Sequence, residues 1–135
     1  MRFVDANIFV RFFVRDSEDL WERCLRLFDS LAAGVGSATT SEAVVAEVVF
    51  VLTSRRLYGL GRAEAARLLR PLLEIRALRL DRKEVVLAAL MRFGSSALDF
   101  VDCLAVEHVL ARNLEGIYSL DRDYDRIPGV TRFEP

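Results

Sequence analysis

Apolar residues recur along the chain in two patterns: short runs typical of buried strands, and longer runs with the spacing of a helix face. The short runs predict four strands, at residues 2–5, 36–39, 77–80 and 117–119. Helical spacing predicts six helices between and after them, at residues 8–13, 18–33, 42–56, 62–74, 82–93 and 100–112. This alternation is typical of an α/β fold with a largely parallel sheet. Because no stretch resembles a linker, we expect one domain over residues 1–135.

Residues that favour helix ends set the predicted boundaries. Asn7, Ser41 and Asp99 are expected to cap the first, third and last helices. Pro71 predicts a kink or break in the fourth helix. The third helix is almost entirely apolar, so we expect it to be buried on most sides. The second helix is expected to bury one face, made of Leu20, Trp21, Cys24, Leu27, Phe28 and Leu31.

Composition narrows the class of protein. A hydrophobic content of 53% is enough for a core in a chain of 135 residues. No apolar run is long enough to span a membrane and the start carries no signal-peptide pattern, so we expect a soluble, cytoplasmic protein. Cys24 and Cys103 form no CxxC pair and are predicted to be reduced core residues. The net charge of −1 provides no overall basic field, so any nucleic-acid contact must be local or metal-assisted.

Acidic residues occupy the positions where this fold class places its ligand sites. Asp5 and Asp121 follow the first and last predicted strands, and sites in open α/β sheets lie beyond such strand ends. Glu47 has apolar neighbours one helical turn away on both sides, which predicts a buried carboxylate that is protonated, paired with Arg or turned towards a metal. An internal Arg pair or an exposed stripe is the structural alternative for Glu47. Asp102 begins the last helix beside a core, and we favour a catalytic role over capping, whereas Asp99 is interpreted as the cap alone.

Four acids from four separate elements, Asp5, Glu47, Asp102 and Asp121, match the oxygen ligands that Mg²⁺ or Mn²⁺ prefers. A metal centre of this kind suits hydrolysis of a phosphodiester bond. No GxSxG or Walker-type motif offers another mechanism. His108 is expected at the surface or an edge, and burial by its neighbours makes Cys103 a poor nucleophile.

Basic residues flank the two strand ends that carry acids. Arg11, Arg15, Arg122 and Arg126 are therefore candidates for contacts with RNA phosphates or with the acids themselves. Ordinary surface charge is an equally good interpretation of these four residues.

Four segments, taken together, resemble the PIN-domain family, and within it the short ribonuclease toxins of the VapC type. FVDANIFVRF resembles the opening strand with its D-x-N element, and TTSEAVVAEVVFVL the helix that bears the second acid. DFVDCLAVEHVLARN resembles the third acidic motif, and IYSLDRDYDRIPGV the closing T-x-D-x-D/N-F motif. Their order and spacing make the resemblance specific, and it covers nearly the whole chain.

The resemblance implies a PIN-like three-layer α/β/α fold and a ribonuclease that uses Mg²⁺ or Mn²⁺. It assigns Asp5, Glu47, Asp102 and Asp121 to the acidic quartet that binds the metal. It also implies auxiliary roles, for Asn7, Ser119 and Asp123. Ser119 departs from the usual Thr but keeps the hydroxyl, so its hydrogen bond is expected to remain, and Ala6 occupies the unconstrained position of D-x-N. For toxin members the resemblance further implies a homodimer and a small antitoxin partner.

Other functions are compatible with parts of the pattern. A PIN nuclease of RNA processing or structured DNA would have the same acids, although the short length and absence of an added domain favour the toxin. A non-catalytic PIN-fold binding domain is less favoured because the quartet is intact. An aspartyl-phosphate phosphatase would need a second Asp where Asn7 stands, and Lys83 is expected on the polar side of a helix.

Overall fold

The chain folds as an α/β protein with parallel strands, as the sequence predicts, in a computed structural model that describes residues 1–135. The strands are β1 (Arg2–Phe3), β2 (Ala38–Thr39), β3 (Leu78–Arg79), β4 (Ile117–Tyr118) and β5 (Arg132–Phe133). The helices are α1 (Ala6–Phe13), α2 (Glu18–Ala32), α3 (Glu42–Thr53), α4 (Arg62–Glu74), α5 (Lys83–Ser95) and α6 (Phe100–Ala111), with a 3₁₀ helix at Arg122–Arg126.

Every strand pair is parallel. β2 lies between β1 and β3, with Ala38 opposite both Arg2 and Leu78, and β4 pairs separately with β5. Parallel neighbours need a crossover connection, which here is provided by the helices. The residues that follow β1, β2 and β3 therefore emerge at one edge of their sheet.

The sequence does not predict β5. Its two residues, Arg132 and Phe133, follow a turn that contains Pro128 and show no apolar run. The strand forms because its backbone pairs with β4, where the N–H groups of Ile117 and Ser119 donate to the carbonyl oxygens of Thr131 and Phe133.

One cluster of 28 buried residues forms the core, and all six helices contribute to it. Phe9 of α1 and Phe28 of α2 contact each other there, with ring centroids 5.4 Å apart. The cluster extends from Val4 to Val130, so both ends of the chain are tied to the same core. None of the helices has the length and hydropathy required to cross a membrane.

A helix cap, a helix end and an expected helix break differ from the predictions. Asp5, not Asn7, caps α1: its backbone leaves β1 in an extended conformation, and its carboxylate Oδ1 accepts the Asn7 backbone N–H at 2.8 Å. Helix α3 ends at Thr53, because Ser54 is extended. Helix α4 continues through Pro71, where the buried Leu72 and Leu73 anchor the last turn to the core.

The predicted burial of α2 and α3 is wrong in part. Helix α2 buries only a narrow stripe of Cys24, Phe28 and Leu31, whereas Leu20 and Leu27 are exposed and Trp21 is half-buried. Helix α3 buries one face, and on its other side Phe50 is 67% exposed. The apolar pattern of α3 does not indicate which side contacts the core. The prediction that most of its sides are buried was therefore too high.

Gly116 allows a close backbone approach between β4 and β5. A Cβ atom at this position would lie 2.0 Å from the carbonyl oxygen of Thr131 and 2.8 Å from the Phe133 ring. The nearest obstacle is backbone, which cannot rotate away as a side chain does. Any larger residue must therefore push the two strands apart.

We expect Gly116→Ala to lower the free energy of unfolding by about 3 kcal/mol, at the upper end of overpacking effects. Gly61→Ala is the control, because no atom lies within 4 Å of a Cβ there and its backbone is not left-handed. Its cost at a helix N-cap should be below about 1 kcal/mol. Urea unfolding monitored by circular dichroism measures both, and equal stability of the two variants would contradict the close approach.

Candidate active site

Asp5 lies at the C-terminal end of β1, where three hydrogen bonds fix it. The Val4 N–H donates to the Thr39 carbonyl at 2.8 Å, and the buried Thr40 hydroxyl donates to the Val4 carbonyl at 2.9 Å. The Asp5 carboxylate is exposed, and its Oδ1 accepts the Asn7 N–H. Asn7 therefore contributes through its backbone, and Oδ2 of Asp5 has no protein partner.

Glu47 is exposed on α3, so the prediction of a buried carboxylate is wrong. The buried face of the helix carries Val45, Val48 and Val49, and Glu47 lies on the opposite side. The internal Arg pair is also wrong, because Glu47 forms no ion pair or side-chain hydrogen bond. The exposed-stripe alternative describes its environment.

Helices α3 and α6 pack antiparallel, and two points of contact between them indicate where Glu47 lies along α6. His108 Nε2 lies 3.1 Å from both carboxylate oxygens of Glu42, near the start of α3. Farther along α3, Phe50 lines the same cleft as Asp102, near the start of α6. Glu47 lies between these two points on α3. His108 is half-buried, which agrees with the edge position expected for it, although its Nδ1 is buried and unpartnered.

Asp102 occupies the first turn of α6 and has one hydrogen-bond partner. The Tyr124 hydroxyl donates to its Oδ1 at 3.0 Å, and Tyr124 itself is only 5% exposed. Burial and this hydrogen bond, with a contribution from the charge of Asp121, hold the pKa of Tyr124 above its ordinary value. Tyr124 is therefore a neutral donor at physiological pH. Asp99 is the N-cap residue of α6 as predicted, yet its side chain makes no capping hydrogen bond and is exposed.

Asp121 follows β4 and caps the 3₁₀ helix. Its Oδ1 accepts the Asp123 backbone N–H at 2.9 Å, and its own N–H donates to the Ser119 hydroxyl oxygen at 3.0 Å. The hydrogen bond expected of Ser119 is thus present. Asp123 is exposed and forms no ion pair, so it remains available as a further acid at this position.

Arg132 of β5 binds both ends of the segment 119–125, which carries Asp121. Its Nη1 donates to the Ser119 carbonyl at 2.9 Å, and its Nε donates to Asp125 Oδ1 at the same distance. A third contact joins Nη1 to Glu134 at 3.0 Å, and the Arg132 side chain is only 10% exposed. The pKa of Asp125 is lowered mainly by its hydrogen bond to Arg132. Arg132 thereby fixes both ends of the segment that bears Asp121.

A cleft of about 360 Å³ lies beside Asp102, between α3, α4, α5 and α6. Phe50 and Val101 line its mouth, and Asp99 and Asp102 contribute carboxylates. A wider depression of about 610 Å³ lies at the opposite end of the sheet, around Ser37 and Ala77, which precede β2 and β3. None of the candidate acids lines that depression, so only the first cleft belongs to the candidate site.

Asp102 is the one candidate acid that shares a side-chain hydrogen bond with the segment bearing Asp121. Tyr124 of that segment donates to Asp102, and the charge of Asp121 makes a smaller contribution to the raised pKa of Tyr124. No three Asp, Glu, His or Cys side chains surround a common point that would hold a metal ion.

The donor chemistry nevertheless fits a hard divalent cation. Asp5, Asp102 and Asp121 each use Oδ1 in one hydrogen bond and leave Oδ2 without a protein partner. Glu47 leaves both oxygens free, and none of the four acids pairs with any of the 19 basic residues. Carboxylate oxygens are the ligands that Mg²⁺ prefers in proteins.

The predicted basic residues divide into two pairs. Arg11 forms an ion pair with Asp16, and Arg15 forms one with Glu18 while lying over the Trp21 ring. These contacts are with neither Asp5 nor Asp121, and they occupy both guanidinium groups. Arg122 and Arg126, by contrast, are exposed and form no ion pair. They are the free cations beside the acidic segment.

Two other sequence predictions have clear outcomes. Cys24 and Cys103 are free and buried, and burial raises the pKa of both thiols, as expected for unreactive core cysteines. Lys83 was expected on a polar helix face. Its ammonium group instead donates to the carbonyl oxygens of Ile75 and Leu78, where it ties the start of α5 to the β3 region, and burial lowers its pKa.

Tyr124 and Arg132 are site residues that the sequence did not reveal. The signal for Tyr124 was available, because it stands where the T-x-D-x-D/N-F motif has Phe. Arg132 gave no signal, because its partners Ser119 and Asp125 meet it only once β5 pairs with β4.

The family model described as PIN domain matches residues 2–130 of the chain. A search of curated proteins returned no match. The family match contains all four candidate acids and ends before β5, so the Arg132 contacts come from a segment beyond the matched residues.

The ion pair of Arg132 with Asp125 predicts a pH-dependent contribution to stability. The folded state lowers the pKa of Asp125, so this stabilisation is present above the ordinary Asp value of 3.8 and is lost as pH falls through the folded pKa. Arg132→Gln should therefore lower the melting temperature at neutral pH and have a smaller effect in strong acid, at a pH below the lowered pKa of Asp125 in the folded state.

Arg126→Gln serves as the control, because Arg126 is exposed and unpaired. Thermal melts of both variants and the wild type at the two pH values measure the effect. A deficit of Arg132→Gln that is the same at both pH values would contradict the assigned ion pair.

Proposed function

The chain belongs to the PIN-domain family, and we propose on that basis that it is a ribonuclease that hydrolyses RNA phosphodiester bonds with Mg²⁺ or Mn²⁺. PIN domains are typically nucleases, and PIN nucleases generally use divalent metals. The proposal for this chain adds the substrate, the metal and the residues that bind it.

The observation that carries the proposal is that Asp5, Asp102 and Asp121 are each oriented by a neutral donor and have no basic partner. Neighbouring acids such as Asp16 and Asp125 pair with Arg, whereas Asp5, Asp102 and Asp121 accept only neutral N–H or O–H donors. Neutral donors orient a carboxylate without cancelling its charge. The charges are therefore left for a cation that the chain itself does not supply.

Each residue has a defined task in this proposal. A bound divalent cation would supply a hydroxide at neutral pH and stabilise the leaving oxygen. The Oδ2 atoms of Asp5, Asp102 and Asp121, with the Glu47 carboxylate, would hold that cation. The Asn7 and Asp123 N–H groups fix Oδ1 of Asp5 and Asp121, respectively, and Ser119 fixes the backbone at Asp121.

Arg122 and Arg126 are the proposed RNA-binding residues. Both lie in the 3₁₀ helix that follows Asp121, and both guanidinium groups are exposed and unpaired. Guanidinium groups bind phosphate oxygens through charge-assisted hydrogen bonds, which hold the RNA backbone without reading its sequence. Because the net charge of the chain is −1, these local cations matter for an anionic substrate.

We also propose that the protein is the toxin of a VapBC-type pair, acting as a homodimer that an antitoxin inhibits. The resemblance of four successive segments to VapC-type toxins supports this role. Exposed apolar side chains support a protein–protein contact, because Phe50 and Val101 are both mostly exposed at one cleft.

Metal removal tests the proposed chemistry. EDTA should abolish RNA cleavage and added Mg²⁺ or Mn²⁺ should restore it, because no other side chain here generates a comparable nucleophile. Glu47→Gln should reduce cleavage by about 100-fold or more. Because Glu47 is exposed and unpaired, the same variant should change the stability of the metal-free protein by less than about 0.5 kcal/mol.

Glu115→Gln is the matched control, because Glu115 is also exposed and forms no ion pair. It should keep wild-type cleavage. In thermal melts, saturating Mg²⁺ should raise the melting temperature of the wild type and the control more than that of Glu47→Gln. Cleavage that persists after complete chelation would overturn the mechanism, and full activity of Glu47→Gln would remove that residue from the site.

Salt dependence tests the proposed RNA contacts. Arg122→Ala should weaken RNA binding and reduce the slope of log affinity against log salt by about 0.7, the contribution of one phosphate contact on a single strand. Arg67→Ala is the control, because Arg67 is exposed and unpaired but lies on α4. Fluorescence anisotropy in EDTA separates binding from cleavage. Equal salt slopes for Arg122→Ala and the wild type would assign Arg122 to ordinary surface charge.

A further inference from the structure

The aromatic residue of the closing motif carries a hydroxyl group that the motif does not require. Tyr124 stands where T-x-D-x-D/N-F has Phe, and its ring is 5% exposed within the core cluster. A Phe ring would fill the same space. The hydroxyl is therefore an addition to the packing role, and its contact indicates what it does.

That hydroxyl makes one hydrogen bond, to Asp102 Oδ1 at 3.0 Å, and Asp102 has no other side-chain partner. An Arg in this place would neutralise the carboxylate, whereas a phenol orients it and leaves its charge intact. Tyr124 also belongs to the 3₁₀ helix that Asp121 caps, so one short element both carries Asp121 and restrains Asp102.

We propose that Tyr124 is a positioning residue of the metal centre, whose hydroxyl fixes one oxygen of Asp102 and leaves the other for a divalent cation. This inference rests on the proposed function, because it assigns Asp102 to the metal ligands. Tyr124 itself does not touch the cation or the RNA. It acts through Asp102 by reducing the number of orientations that the carboxylate samples before the cation arrives.

The contact predicts a specific loss when the hydroxyl is removed. Partners that orient a metal ligand typically contribute a factor of about 10 to 100 in metal affinity. Tyr124→Phe should therefore weaken Mn²⁺ binding by about tenfold or more. The variant should fold normally, because Phe is isosteric with the buried ring and is the residue of the motif. Cleavage should recover towards the wild-type rate as Mn²⁺ is raised.

Isothermal titration of Mn²⁺ without RNA measures the affinity directly. The control is Tyr118→Phe, the same chemical change at a residue that is 77% exposed and makes no side-chain hydrogen bond. We expect a larger dissociation constant for Mn²⁺ in Tyr124→Phe but not in Tyr118→Phe. The melting temperatures of both variants in EDTA should be close to that of the wild type.

Other outcomes contradict the inference in distinguishable ways. If the wild type binds Mn²⁺ and Tyr124→Phe binds it equally well, Tyr124 has no positioning role, although the proposed function stands. A lower melting temperature with unchanged Mn²⁺ affinity also rules out the positioning role, because it reduces Tyr124 to a packing residue. If the wild type binds no Mn²⁺, the proposed function fails and this inference fails with it.

Discussion

Parallel pairing of very short strands is the constraint on which the rest of this structure depends. Each strand has two residues, so backbone pairing alone provides few hydrogen bonds, and the sheet is held mainly by helices packed on a common core. Parallel order also requires a crossover after each strand. Chain segments therefore leave β1, β2 and β3 at one edge, where Asp5 begins α1 and Ser41 begins α3. The packing that stabilises the sheet therefore also places the polar residues Asp5 and Ser41 at this edge.

None of the four candidate acids has a basic partner. Some acids elsewhere in the chain pair with Arg, as Glu107 does with Arg92 at 2.7 Å. The four candidate acids instead meet backbone N–H groups, a phenol or water. Each neutral donor stabilises the ionised form without pairing it. We propose that a divalent cation from solution balances this charge.

The sequence predicted the features that depend on local periodicity and chain order. Strand positions and helix spacing were enough to place Asp5 and Asp121 at strand ends. The environment of Glu47 was not predictable in the same way, because α3 is apolar around most of its circumference and only tertiary packing selects the face with Val45, Val48 and Val49. Contacts such as Arg132 with Ser119 join elements that become neighbours only when β5 pairs with β4. No local pattern encodes them.

Asp5, Glu47, Asp102 and Asp121 are proposed to bind a common divalent centre. Crystals grown with Mn²⁺ and measured at the manganese absorption edge test it directly, because anomalous scattering locates the ion independently of any activity. We expect an anomalous peak among these carboxylates, with oxygen atoms at roughly 2.1 Å from the ion. A well-ordered structure with no peak there, or with Mn²⁺ bound only at other acids, would contradict it.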